Sequence, residues 1–242
     1  AGSTEALSSN AIIASATAVA NLISSAASVN GSSTVSASES IESVLSSLST
    51  KLTESSAVGE DVVVVQARES AQRPVSVEIT GQVVEASELG QTTLSSSSGT
   101  LVSFPPLPSN VSSTESLRVS AVSVQGNSLY PKSLSVEDNS GSPTVVQGGL
   151  VSIQVRNATG GSLKIYTNET HPFQFAIPRG NQSEIAGAPA DSVSYHLCEY
   201  WDVVSRTWQR DGVRAYGVQS DGTVLCNSTH LKEFSSSTEF RI

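Results

Sequence analysis

The sequence predicts an α+β fold, mainly β: a small N-terminal helical subdomain followed by an antiparallel β-sandwich. Up to about residue 52, apolar residues recur at spacings of three and four, the signature of helices with one buried stripe. From Val62-Val63-Val64-Val65 onward the pattern becomes alternating or continuously apolar, broken by Gly, Pro, Asn and Ser clusters. Many short strands with no helix between them favour antiparallel pairing in two layers.

The first helix is expected over residues 4–28. Ser3 or Thr4 can cap it, and Ile12, Ala16, Val19, Ile23 and Ala26 line one face before Asn30-Gly31 stops it. A second helix is expected from Ser38 to Leu52, with Ser36 and Glu39 as a capping box and Ile41, Val44/Leu45, Leu48 and Leu52 as its stripe. These two make a subdomain of residues 1–57. Serine on their outer faces is a mediocre helix former, so the stability of both must come from packing. Residues 58–242 form the sandwich, with strands expected at Val75–Ile79, Gln82–Ala86, Leu101–Phe104, Leu117–Val124, Ser133–Val136, Leu150–Arg156, Leu163–Thr167 and Phe173–Ile177. Gly148-Gly149, Gly160-Gly161 and Asp221-Gly222 read as turns, and Pro105–Pro108 as a rigid loop.

Composition narrows the function. The 242 residues are 38% hydrophobic, 14% charged and 5% aromatic, and contain no methionine, so the core is aliphatic rather than aromatic. The net charge is −9 with no Lys/Arg run, which leaves nucleic acid without a basic footprint. His171 and His196 stand apart from any Cys/Asp/Glu cluster with ligand spacing, so no metal is expected. No nucleotide or hydrolase fingerprint occurs, and no cofactor is expected. Asn30, Asn110, Asn157, Asn168, Asn181 and Asn227 each head an Asn-x-Ser/Thr triplet, a set that favours an extracellular, N-glycosylated chain. In that compartment the two cysteines, Cys198 and Cys226, would be oxidised. An extracellular chain opening on Ala1-Gly2-Ser3 would be a processed or excised piece.

The last fifty residues are the most distinctive. Cys198-x-x-Trp201, Trp208, Gly212 and then Cys226-x-x-x-His230-Leu231 follow in order. This order, over about residues 196–234, resembles the GPS motif that closes the GAIN domain of adhesion G-protein-coupled receptors and polycystin-1-like proteins. The resemblance implies the same fold read above, a helical subdomain before a β-sandwich. It also implies a Cys198–Cys226 disulfide, since the family joins its first and third cysteines. That bridge closes 28 residues and would contribute roughly 3–4 kcal/mol by loop entropy. The family's second and fourth cysteines fall on Val213 and Ser228, so one whole bridge is absent.

In cleaving members a Thr or Ser hydroxyl follows His-Leu and attacks the leucine carbonyl, with the histidine as general base. The resemblance therefore makes His230 the base and Leu231 the residue attacked. Lys232 stands where the nucleophile belongs, and an amine cannot form the ester intermediate. Self-cleavage is expected to be lost, leaving His230 a strand residue hydrogen-bonded to neighbouring backbone. Beyond it, Lys232–Ile242 is polar and serine-rich, and only Phe234 fits the apolar tethered segment of receptors, so the chain is more similar to the polycystin-like branch. The resemblance implies a cell-surface, ciliary or membrane-proximal module working in adhesion or under force. Its partners would be other domains of the same protein, or a channel or matrix protein. A surface-coat glycoprotein and a GAIN domain cleaving by an unusual route are the alternatives.

Overall fold

The computed structural model describes residues 33–54, 56–68, 75–96, 101–107, 115–125, 144–178 and 193–241, with Ala11, Ala14, Ser15, Thr17, Ala18, Tyr130 and Asp191 besides. Of the helix expected over 4–28, Ala11, Ala14, Ser15, Thr17 and Ala18 are helical, and its remaining residues lie outside the described ones. The second helix, α1, spans Ser33–Glu54 and starts five residues before the expected Ser38. Ser36 and Glu39 thus lie within the helix, and the expected capping box is not its start.

Twelve strands follow, among the described residues: β1 (Asp61–Arg68), β2 (Val75–Glu85), β3 (Thr93–Ser95), β4 (Leu101–Ser103), β5 (Ser116–Gln125), β6 (Thr144–Asn157), β7 (Phe173–Ile177), β8 (Val193–Asp202), β9 (Thr207–Gln209), β10 (Val213–Val218), β11 (Val224–Ser228) and β12 (Glu233–Arg241). They form a seven-stranded sheet ordered β1-β2-β5-β6-β12-β8-β9 and a five-stranded sheet ordered β10-β11-β7-β4-β3. All pairings within them are antiparallel. The expected mainly-β sandwich is what the chain forms.

Two apolar layers hold it. Between the sheets, Val84, Leu117, Val119, Val151, Ile153, Phe173, Phe175, Ile177, Val224 and Phe234 make one continuous core. Phe175 and Phe234 meet across it with ring centroids 4.4 Å apart. On the other face of the large sheet, Ile41, Leu45, Leu48 and Leu52 of α1 pack on Val77, Ile79, Val122, Val124, Leu150 and Trp201. Spacings of four, three and four keep those helix residues on one stripe. Val44, placed in the stripe from sequence, is 46% exposed and lies outside it.

Several expected boundaries move for identifiable reasons. Thr80-Gly81 does not separate two strands, because β2 runs unbroken through it and pairs with β1 and β5 along its length. The glycine is there for α1: a Cβ on Gly81 would fall 2.7 Å from the Thr53 methyl. Gly148-Gly149 is likewise not a turn but lies inside β6, beside a register shift between Ser235 and Ser237 of β12. A Cβ on Gly148 would sit 2.1 Å from Ser236 Oγ, and the Gly149 N–H donates to the Pro178 carbonyl at 2.9 Å.

Leu163–Thr167 is not a strand of either sheet. The Leu163 N–H bonds the Val155 carbonyl and the Thr167 N–H the Thr229 carbonyl, so the segment divides its pairing between β6 and the end of β11. Gly160 and Gly222 do turn the chain as expected, both with positive φ. The expected strand Ser133–Val136 lies outside the described residues.

Leu45 is 2% exposed at the centre of the helix–sheet contact. Leu45→Ala is expected to destabilise the fold by about 3 kcal/mol in guanidinium unfolding; a loss below about 1 kcal/mol would mean that α1 is not seated as described.

Candidate functional site

Strand β8 organises the C-terminal segment because its alternate residues face opposite layers. Cys198 points between the sheets, and Trp201 points toward α1. Cys198 is joined to Cys226 of β11, with Cα atoms 5.9 Å apart, so the disulfide runs through the core and links the two sheets covalently. The pairing implied by the motif is the one the structure contains.

Trp201 pairs directly with Trp208 across the β8–β9 hairpin, their rings 5.4 Å apart at 73°. Tyr130 completes the cluster, stacked on Trp201 at 4.5 Å and edge-on to Trp208 at 5.8 Å. Sequence reasoning missed Tyr130, which reaches the tryptophans from far along the chain with no local signal. Arg210, just after β9, reaches Glu199 with Nε at 2.8 Å and Nη2 at 2.5 Å, and Glu199 is fully buried.

Gly212 has φ +71°, a conformation that favours glycine. Its carbonyl accepts the Thr229 N–H at 2.9 Å. A Cβ there would fall 2.4 Å from Thr229 Oγ1 and 3.3 Å from His230 Nδ1. The motif glycine is therefore what lets the β10 turn lie against the His230 ring.

His230 itself pairs through its backbone with Tyr166 in an isolated bridge, and Ser228 Oγ clamps it, donating to its carbonyl at 2.7 Å and accepting its N–H at 3.2 Å. The side chain departs from expectation. Its ring is edge-on to Tyr200 at 4.7 Å rather than hydrogen-bonded to backbone, and the buried Nε2 has no partner among the described residues. Burial first, and the Lys232 ammonium second, hold His230 below the usual imidazole range. Residue 232 is a lysine and offers this ring no hydroxyl. Lys232 Nζ lies 5.9 Å from the Tyr200 ring centroid, within cation–π reach. The nearest preceding hydroxyl, Thr229 Oγ1, lies 3.5 Å from the Gly212 carbonyl. Leu231 is half-buried against the inter-sheet core.

His230, Leu231, Lys232 and Glu233 form one wall of a cleft of about 710 Å³ whose other walls include Glu39 and Glu42 of α1, Arg156, Tyr166 and Arg206. Tyr130 donates a hydrogen bond to Glu42, whose carboxyl lies against that of Glu233. Burial and the Glu233 carboxylate push Glu42 up to about 9. The start of β12 is thus tied to α1 by a carboxyl–carboxylate contact.

Val213 and Ser228, the positions that correspond to the absent bridge, are direct partners across β10 and β11 and are both buried. The Val213 N–H donates to the Arg210 carbonyl at 3.1 Å. Among the expected glycan positions, Asn157, Asn168 and Asn227 are described, while Asn30, Asn110 and Asn181 lie outside the described residues. His196 Nδ1 meets Thr238 Oγ1 at 3.0 Å and His171 is exposed.

No protein-family model matches the sequence, and no curated protein matches it. The fold does have a counterpart among solved structures. It is similar to the full extracellular region of zebrafish Gpr126/Adgrg6, with a TM-score of 0.55 over 89% of this chain at 15% identity. This chain spans 28% of the length of that extracellular region, and at this identity the likeness is one of fold.

Two outcomes follow. A Val213→Cys, Ser228→Cys double variant is expected to oxidise spontaneously, lowering its mass by two hydrogens. With 228 − 213 = 15 residues closed, it should gain roughly 3 kcal/mol. Two free thiols after air oxidation would contradict the register. Stability should also depend on pH from both sides. The contribution of neutral His230 is fully present above about 6.5 and is lost as pH falls through its lowered folded value. That of protonated Glu42 is fully present below about 4.5 and is lost as pH rises through about 9. Melting temperatures across this range should show Glu42→Gln flattening the alkaline limb only; an unchanged alkaline limb would mean that Glu42 does not hold a proton in the fold.

Proposed function

We propose that this chain is an extracellular GAIN-type module of a membrane glycoprotein of the polycystin-1-like kind, which does not cleave itself and carries load through an unbroken backbone. Residues 1–57 would be its helical subdomain and residues 58–242 its sandwich. The observation that supports the reading most is the pairing of a placed, neutral His230 with a Lys232 that has no attacking oxygen. The core disulfide and the adhesion-receptor-like fold support the extracellular setting.

The mechanism is one of retention. Acyl transfer at Leu231 needs a hydroxyl oxygen on residue 232 to take the carbonyl from nitrogen to oxygen. Lysine offers an ammonium, and the contacts of His230 hold it against Tyr200 instead. The Leu231–Lys232 peptide therefore stays an amide. Tension applied beyond β12 is borne by its ladder to β6 and β8 and by the Phe234 anchor. The bridge at Cys198 then passes that load to the second sheet.

Intact mass under denaturing, reducing conditions, after enzymatic removal of glycans, tests the reading. One species of the full chain mass, 25.1 kDa, is expected; a fragment ending at Leu231 would establish autoproteolysis and sink the proposal.

A further inference from the structure

Six sequons leave open which asparagines carry sugar, and the folded environment separates two of the three described ones. A glycan is added to the chain before folding, so an occupied asparagine must end with its Nδ2 in water. Asn168 meets that condition. It is exposed, and its Oδ1 accepts the N–H groups of Thr170 and His171, each at 3.0 Å. Both bonds use the oxygen end of the amide, so the turn fixes the side chain through the atom that a glycan leaves alone.

Asn227 is different. It sits in β11, which is paired on both sides, with Arg214 and Gln174 as its cross-strand neighbours. Its Oδ1 is buried without a hydrogen-bond partner among the described residues. A sugar on this amide would have to emerge between two long side chains from an internal strand.

Position adds a role. Glu169, the residue after Asn168, reaches Arg214 of β10 at 3.4 Å. Among the described residues, strand β10 is an edge of the five-stranded sheet, and it exposes Tyr216 and Val218 at 50% and 41%. An open edge with exposed apolar side chains invites pairing with another chain, and proteins block such edges.

Building on the extracellular reading, we propose that Asn168 carries an N-linked glycan, that Asn227 does not, and that the Asn168 glycan covers the β10 edge against strand addition. The test is secretion of the chain from glycosylating cells, followed by enzymatic deglycosylation in oxygen-18 water and peptide mass mapping. Asn168 is expected to appear as labelled aspartate and Asn227 as unlabelled asparagine. A labelled Asn227, or an unlabelled Asn168 beside any other labelled sequon, overturns this inference alone. No label at any sequon overturns it together with the extracellular reading.

Thr170→Ala removes the sequon yet keeps the Thr170 backbone N–H on Asn168. It is expected to be secreted lighter by one glycan and to self-associate, by light scattering, at concentrations where the parent is monomeric. Asn168→Gln, which also removes the acceptor of that turn, is expected to match it. A Thr170→Ala protein with an intact Cys198–Cys226 bridge that stays monomeric would overturn the shielding role.

Discussion

Strand β12 is hydrogen-bonded along both edges, to β6 and to β8, and the rest of the structure depends on that double pairing. A strand in the middle of a sheet cannot leave without opening two ladders. Phe234 adds a side chain with no exposed surface, packed on Phe175 of the opposite sheet. The serines that follow fit the same position for a steric reason. Ser236 lies against Gly148, where the close approach of β6 and β12 leaves no room for bulk.

The disulfide sits where it can reinforce this arrangement. Cys198 is the β8 partner of Ser236, and Cys226 is the β11 partner of Phe175. The covalent link therefore joins β12's neighbour to the strand beside β7, whose Phe175 packs beneath Phe234. On the other face, Trp201, Trp208 and Tyr130 fill the space beside α1, and the Tyr130–Glu42–Glu233 chain reaches the first residue of β12. The helix, the aromatic cluster and the disulfide all converge on the residues flanking Leu231–Lys232. The pair of buried Glu199 with partly exposed Arg210 fixes the same hairpin, and removing Arg210 would leave Glu199 in the interior without that partner.

Much of this was legible in the chain itself. The change of period near residue 58 separated helix from sheet, the Cys, Trp, Gly and His-Leu order located the C-terminal segment, and the family resemblance carried by that order implied its disulfide. What stayed hidden depends on distant partners. Gly81 and Gly148 look like breakers, and only the Thr53 methyl and Ser236 explain why glycine is needed inside unbroken strands. Leu163–Thr167 has strand composition, but its pairing is split between two elements. Tyr130, Tyr166 and Tyr200 shape the surroundings of the motif through contacts made across the fold, and the His230 side chain rests on a ring rather than on a backbone group.

The central claim is mechanical: β12 stays covalently joined to the domain and can be pulled out only by unfolding it. Repeated single-molecule stretching between the two chain ends tests this most directly. The account predicts that each molecule unfolds, refolds on relaxation and unfolds again over many cycles. On reduction its extension should grow by roughly 90–100 Å as the 28-residue loop behind Cys198–Cys226 is released. A tether that parts once, leaving a strand that begins at Lys232 on one side, would contradict the account.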